Sequence, residues 1–171
     1  MRKKLNKSQA GLVLSCALLL IALDQISKIW IRDNLAIGES WPETGILRAT
    51  HINNTGASFG LFPNQSAILA CLSIAIIIII LVIIHHIANI TNLHLVSAGI
   101  ILGGAFGNLI DRLRLGYVTD FIDFKIWGDF HWPIFNLADS AIVIGTGIFA
   151  IALFRSNLRE ELSEQSKGFI G

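Results

Sequence analysis

Four aspartates, Asp111, Asp120, Asp123 and Asp139, lie with Asn108, Arg112 and Asn136 in the stretch from Gly103 to Asp139, between and at the ends of two strongly apolar segments. A charged side chain at membrane depth costs about 2.5–3.5 kcal/mol on insertion scales, so it is normally paired or faces a cavity, and it marks a functional site. Two carboxylates that share one water and one proton can act as general base and general acid in amide hydrolysis. Like charges in contact cannot both ionise comfortably, so their apparent pKa values separate. Asp120 falls in a polar connection and Asp139 about one turn into the next apolar segment, which makes Asp120 and Asp139 the expected pair. Asp123 and Asp129 compete for that partnership. Asp111 beside Arg112 reads as a structural ion pair at a helix end, and acids in a helix's first turn are favourable with no chemistry attached. No nucleophile–base pair competes, because His51 and His131 are isolated in sequence and Cys16 and Cys71 lie inside apolar runs. Two other functions could use the same acids. A hard cation held by Asp111, Asp120, Asp123 and Asp139 would make a metal-dependent hydrolase, which chelation would disclose. A proton relay through Asp24, Asp111 and Asp139 would need acids spread through the membrane, whereas these cluster toward one side.

The elements that must position these groups follow from composition. Over 171 residues the chain is 53% hydrophobic and 15% charged, with a net charge of +1 and a mean hydropathy of +0.65. Such a chain takes the bilayer as its solvent and has no basic field for nucleic acid. Apolar runs at about 11–31, 66–84, 95–112 and 135–154 each approach the 20 residues a spanning helix needs. The first follows Arg2, Lys3, Lys4 and Lys7 and could be a cleaved signal peptide, but its apolar character resumes through Ile26 to Ile31 with no small-residue cleavage site. An uncleaved helix with a cytoplasmic N-terminus is the expectation. Asp24 and Lys28, spaced i,i+4, can pair on one face, and a snorkelling interfacial pair is the plainer alternative. Residues 33–63 and 113–133 form the outer segments. The first alternates short apolar residues as a small β element does, while the second is dense in Trp and Phe, as at a membrane interface. Gly99, Gly103 and Gly107, spaced by four, give the third helix a flat face for close backbone packing and make it central. The second helix, almost purely Ile, Leu, Val and Ala and without charge, reads as lipid-facing scaffold. His85, His86 and His94 read as interfacial loop residues rather than a metal site, and the cysteines read as small buried hydrophobes without a disulfide. An all-α membrane protein of one domain, residues 1–171, results: four transmembrane helices, both termini cytoplasmic, the acids outside, and no cofactor or metal.

Five stretches, Asp24-Gln25-Ile26-Ser27-Lys28, Asn54-Thr55-Gly56-Ala57-Ser58-Phe59, Gly103 to Arg112, Gly116-Tyr117-Val118-Thr119-Asp120-Phe121 and Phe135-Asn136-Leu137-Ala138-Asp139-Ser140, occur in this order. Together they resemble the motifs of bacterial lipoprotein signal peptidase, or signal peptidase II, over Leu12 to Arg155. The resemblance implies an aspartyl endopeptidase of the bacterial cytoplasmic membrane with four transmembrane helices and a small extracytoplasmic β-cradle. Its substrate would be a prolipoprotein already carrying diacylglyceryl on the cysteine that becomes the new N-terminus, and its inhibitor the cyclic peptide globomycin. By motif, Asp120 and Asp139 would be catalytic. Asn54, Gly56, Gly104, Asn108, Asp111, Arg112, Asn136 and Ala138 would line or support the site, with Asp24 and Lys28 behind them. Membrane lipids would be its surroundings, and a monomer its expected state.

Overall fold

A computed structural model describes residues 5–56, 65–87, 89–128 and 130–168. Ala57, Ser58 and Phe59 of the second motif, Pro63 and Asp129 lie outside the described residues. Four helices, α1 (Lys7–Asn34), α2 (Ser66–His86), α3 (Asn92–Leu115) and α4 (Leu137–Gly168), are joined by strands β1 (Ser40–Trp41), β2 (Leu47–Asn54), β3 (Val118–Trp127) and β4 (Phe130–His131). All four helices are long and apolar enough to cross a membrane. Each runs past at least one end of its apolar run, and at α1 and α3 polar flanks supply caps that the hydropathy pattern ignores. Asn6 and Gln9 form a capping box ahead of α1, and Thr91 and His94 form one at the start of α3. At the other end α3 closes on Gly116, whose left-handed φ of 78° needs no Cβ and whose N–H returns to Arg112 O. The fourth helix runs on through the charged tail to Gly168 instead of stopping near Phe154.

The third helix is the hub. In its most apolar window 72% of residues are buried, against 17–33% for the other three, so α1, α2 and α4 surround it and turn their remaining faces outward. Two small-residue seams make this possible. A Cβ on Gly99 would stand 2.7 Å from Val13 O, and one on Gly103 2.9 Å from Ala17 O, both backbone atoms of α1. On the α4 side, a Cβ on Gly104 would stand 2.5 Å from Ala138 O. Lipid gives no hydrophobic drive for helix association, and backbone approach through small residues replaces it. One apolar core joins Val13 and Ala17 of α1, Ile77 and Ile80 of α2, Ala98 and Ala105 of α3 and Phe149 of α4.

Two expectations change in this region. His94 is not a loop residue but is fully buried on α3, where its ring lies edge-on to Phe149 at 5.8 Å. Cys71 is exposed on α2, and Cys16 is half-buried against the Gly99 seam; facing lipid is as apolar a setting as the core.

At one end of the bundle the strands form a single antiparallel sheet in the order β1-β2-β3-β4. The second outer segment contributes as much to it as the first, although its residues read only as an aromatic interfacial stretch. Ala49 pairs with Ile122 and Ile52 with Asp120, so Thr50 and His51 together face Phe121 in a β-bulge. Phe135 O then accepts from both Phe121 N (3.0 Å) and Ile122 N (2.7 Å). This carbonyl ties β3 to the turn entering α4.

Candidate active site

On α1, Asp24 lies i,i+4 and Gln25 i,i+3 from Lys28, and on α3 Asn108 lies i,i+3 from Asp111, so these side chains project toward one side of each helix, and the glycine seam brings the two sides together. Lys28 and Asp24 are fully buried, so the snorkelling reading does not hold. Lys28 Nζ has three partners, Asp24 Oδ2 (2.9 Å), Asp111 Oδ2 (3.2 Å) and Asn108 Oδ1 (3.0 Å), and its three protons are all used. Asp111 therefore pairs with Lys28 and not with its neighbour Arg112, whose side chain leaves the helix about 100° away. Asp111 also accepts from Gln25 Nε2 (3.1 Å) and Thr119 N (3.2 Å), while Asp24 Oδ1 accepts from Ala138 N (3.0 Å).

This buried ion cluster orients amides. Lysine can only donate, so Asn108 must turn its oxygen to Lys28 and its nitrogen away, to Asp139 Oδ1 at 2.7 Å. Asn136 is fixed in the same manner. Its Oδ1 caps α4 by accepting from Asp139 N (2.9 Å), so its Nδ2 donates to Asp120 Oδ1 (2.6 Å) and Asn108 Oδ1 (3.1 Å). Asp139 Oδ2 returns the cap from Asn136 N (3.3 Å), completing an Asn136–Asp139 capping box. Gly56 N donates to Asn54 Oδ1 (2.9 Å), and Asn54 Nδ2 then reaches Asp120 Oδ2 (2.7 Å).

Asp120 and Asp139 are thus held by a shared set of amides but differ in surroundings. Asp120 is 2% exposed, whereas Asp139 is half-buried. Burial first, and the charge of Asp139 second, push the Asp120 carboxyl up to about 7, against the hydrogen bonds of Asn54 and Asn136 and the charge of Lys28. Arg112 Nη1 touches only Ser73 Oγ and Asn108 O among the described residues, each at 3.4 Å. The rest of its guanidinium is left for another partner.

Asp123 is not part of this arrangement. It accepts from Arg48 Nε (3.0 Å), Thr50 Oγ1 (2.7 Å) and His131 Nδ1 (2.6 Å), with Arg48 Nη2 also in contact. His131 is therefore not isolated, and His51 Nδ1 donates to Leu35 O (2.8 Å). Gln25, Thr119 and the Asp123 cluster were missed as participants. Only Gln25 carried a signal, its i,i+3 relation to Lys28.

A family model described as signal peptidase (SPase) II matches residues 16–155. This chain belongs to the signal peptidase II family. Lipoprotein signal peptidases are similar to it over most of its length. That of Moorella thermoacetica is 45% identical over 130 residues, 75% of this chain and 83% of the relative, and that of Serratia marcescens is 42% identical over 139 residues, 80% and 81%. Two solved structures of bacterial membrane enzymes superpose with TM-scores of 0.78 and 0.74 at 32% and 34% identity. They cover 92% and 90% of this chain and 94% and 97% of their own. The chain is therefore an aspartic-type signal peptidase II, a multi-pass membrane hydrolase with four spanning helices and a small sheet. Gly104 and Ala138, which the motif nominated, meet where α3 and α4 approach closely, and the approach at Ala138 O admits no Cβ on Gly104.

Proposed function

We propose that this signal peptidase cleaves diacylglyceryl-modified prolipoproteins on the N-terminal side of the lipidated cysteine, with Asp120 and Asp139 as the catalytic pair. The observation that carries the reading is Asn136, whose side-chain Nδ2 donates to Asp120 Oδ1 while its backbone N donates to Asp139 Oδ2, so that one residue holds both carboxylates. Buried Asp120 keeps a proton near neutral pH, while half-buried Asp139, held by Asn108 Nδ2 and the helix cap, is the carboxylate assigned to the attacking water. In the first step Asp139 takes a proton from water as its oxygen attacks the scissile carbonyl, and the Asp120 proton passes to the carbonyl oxygen. In the second the tetrahedral intermediate collapses, the C–N bond breaks, the proton held by Asp139 goes to the leaving amine, and Asp120 takes back the proton of the hydroxyl that becomes the new carbonyl. Arg112 and Asn54 donate to the developing oxyanion, with Asp24, Lys28, Asp111 and Asn108 as the scaffold that aims the amides. No step needs a metal.

The sheet end is extracytoplasmic in this reading and both termini are cytoplasmic, in keeping with the basic residues ahead of α1. A lipidated substrate enters laterally from the bilayer beside α2, which packs chiefly on α3, its acyl chains remaining in the bilayer while the scissile bond meets water at the interface. The enzyme acts as a monomer and binds globomycin at the same carboxylates. Incubating the purified protein with a diacylglyceryl-modified prolipoprotein should release the signal peptide, globomycin should stop the release, and the unmodified precursor should remain intact. Equal cleavage of modified and unmodified precursors would overturn the substrate assignment.

A further inference from the structure

The reaction as derived makes no use of the most tightly bound titratable cluster outside the site, Asp123 with Arg48, Thr50 and His131. Asp123 is 1% exposed and joins three strands: β3 through its own backbone, β2 through Arg48 and Thr50, and β4 through His131. Its carboxyl lies below the usual carboxylate range. Burial alone would raise it, but hydrogen bonds from Thr50, His131 and Arg48 and the Arg48 charge outweigh burial.

Its place in the ladder gives it a consequence for the reaction. Arg48 pairs with Asp123 and Ala49 with Ile122 on one side of the β-bulge, whereas Ile52 pairs with Asp120 on the other. The bulge inserts one extra β2 residue between the cluster and the site, and a slip of one residue in a strand turns each side chain to the opposite face. Thr50 and His51, the two bulge residues, are both buried. Thr50 Oγ1 donates to Asp123 while Ser40 Oγ donates to Thr50, and His51 Nδ1 meets Leu35 O at the end of α1.

We propose that Thr50 and Asp123 are positioning residues for the peptidase reaction, which lock the bulge and so hold Asp120 on the face that meets Asn136 and Asn54. This rests on Asp120 being catalytic. It acts by position and not by field, since the charges that bear on Asp120 are those of Asp139, Lys28 and Arg112, and none belongs to the Asp123 cluster. A loosened bulge lets Asp120 reach more water and removes part of what raises it, so the basic limb of the pH–rate profile moves to lower pH.

The test uses the full chain in detergent with a lipidated precursor. Thr50→Val keeps the shape and the strand preference but loses the hydroxyl; Thr50→Ser keeps the hydroxyl; Asp123→Asn removes the charge. Thr50→Val and Asp123→Asn should lower kcat on the order of tenfold to a hundredfold, the scale of a small misplacement of a reacting group. KM should stay within about twofold and the basic limb should shift down. Thr50→Ser should restore kcat and limb together. Wild-type kcat and an unmoved basic limb in Thr50→Val would overturn the proposal even if its melting temperature fell, since a mere staple would behave that way. Should Asp123→Asn fail to accumulate, the two Thr50 variants decide alone. Asp120→Asn, run beside them, separates the two ideas. Retained cleavage there overturns the catalytic pair and this inference with it, whereas lost cleavage there beside a wild-type Thr50→Val overturns only the positioning role.

Discussion

Replacing Lys28 by methionine keeps most of the stem volume and deletes the cation between Asp24 and Asp111. Both carboxylates are at most 1% exposed, so each is left buried without the partner at 2.9 or 3.2 Å. Breaking a buried pair by removing one partner costs about 3–5 kcal/mol. For a chain of this size 1 kcal/mol moves the thermal midpoint by about 2–4 °C, so Lys28→Met should melt about 6–20 °C below wild type in detergent, followed by circular dichroism. Cleavage should fall as well, because Asn108 loses the donor that turns its nitrogen toward Asp139. Adding Asp111→Asn to Lys28→Met removes one of the stranded charges and should recover part of the lost midpoint, a coupling expected only of residues in one network. A midpoint for Lys28→Met within about 2 °C of wild type would show that the ion cluster does not exist as a mutually compensated unit, and the account of how the amides are aimed would fall with it.

Asp120→Asn and Asp139→Asn should each lower turnover about 10²–10⁴-fold, with the double variant scarcely worse than either single one, as for groups that act on one water; additive losses would deny the pair. Turnover should decline above about pH 7 as Asp120 ionises. The same shift has a stability sign. With the folded value raised from 3.8 to about 7, the stabilising contribution is complete below 3.8 and lost as pH rises toward 7, so Asp120→Asn should melt above wild type at about pH 8 and level with it at about pH 3. Gly104→Ala should lower yield, midpoint and activity together by overpacking, on the order of 1–3 kcal/mol. Gly147→Ala, with nothing within 4 Å of the new Cβ, should leave all three unchanged. EDTA should not affect cleavage, and a cysteine introduced at Ser163 should stay shielded from membrane-impermeant reagent in intact cells.

The four spanning helices were legible because a long apolar run admits few other structures in lipid. Their exact ends were not, since caps such as Asn136–Asp139 and Thr91–His94 are made by polar residues that hydropathy averages away. The ten-residue strand β3 was hidden for a related reason. Its sequence alternates acids and aromatics, but Val118, Thr119 and Asp120 are all buried, so no clean in/out period betrays it. Within the site, Asp24 with Lys28 could be read from spacing on one helix. The third member of that cluster, Asp111, lies more than eighty residues along the chain, and local reading substituted the adjacent Arg112. Arg48, Thr50 and His131 around Asp123 escaped notice because their meeting depends on strand register, which a single sequence specifies only weakly.

The Asn136–Asp139 cap bears on how such an enzyme could escape an inhibitor. A compound that grips the Asp139 carboxylate grips the first turn of α4 too, because one oxygen of that carboxylate accepts from Asn136 N at the helix end while the other accepts from Asn108. A resistant cell cannot trade away either residue without uncapping a membrane helix, a loss of about 0.5–2 kcal/mol for the cap alone, added to the loss of turnover. Escape is then driven to residues outside the cap, where a substitution can weaken a compound's periphery but not its hold on the carboxylate.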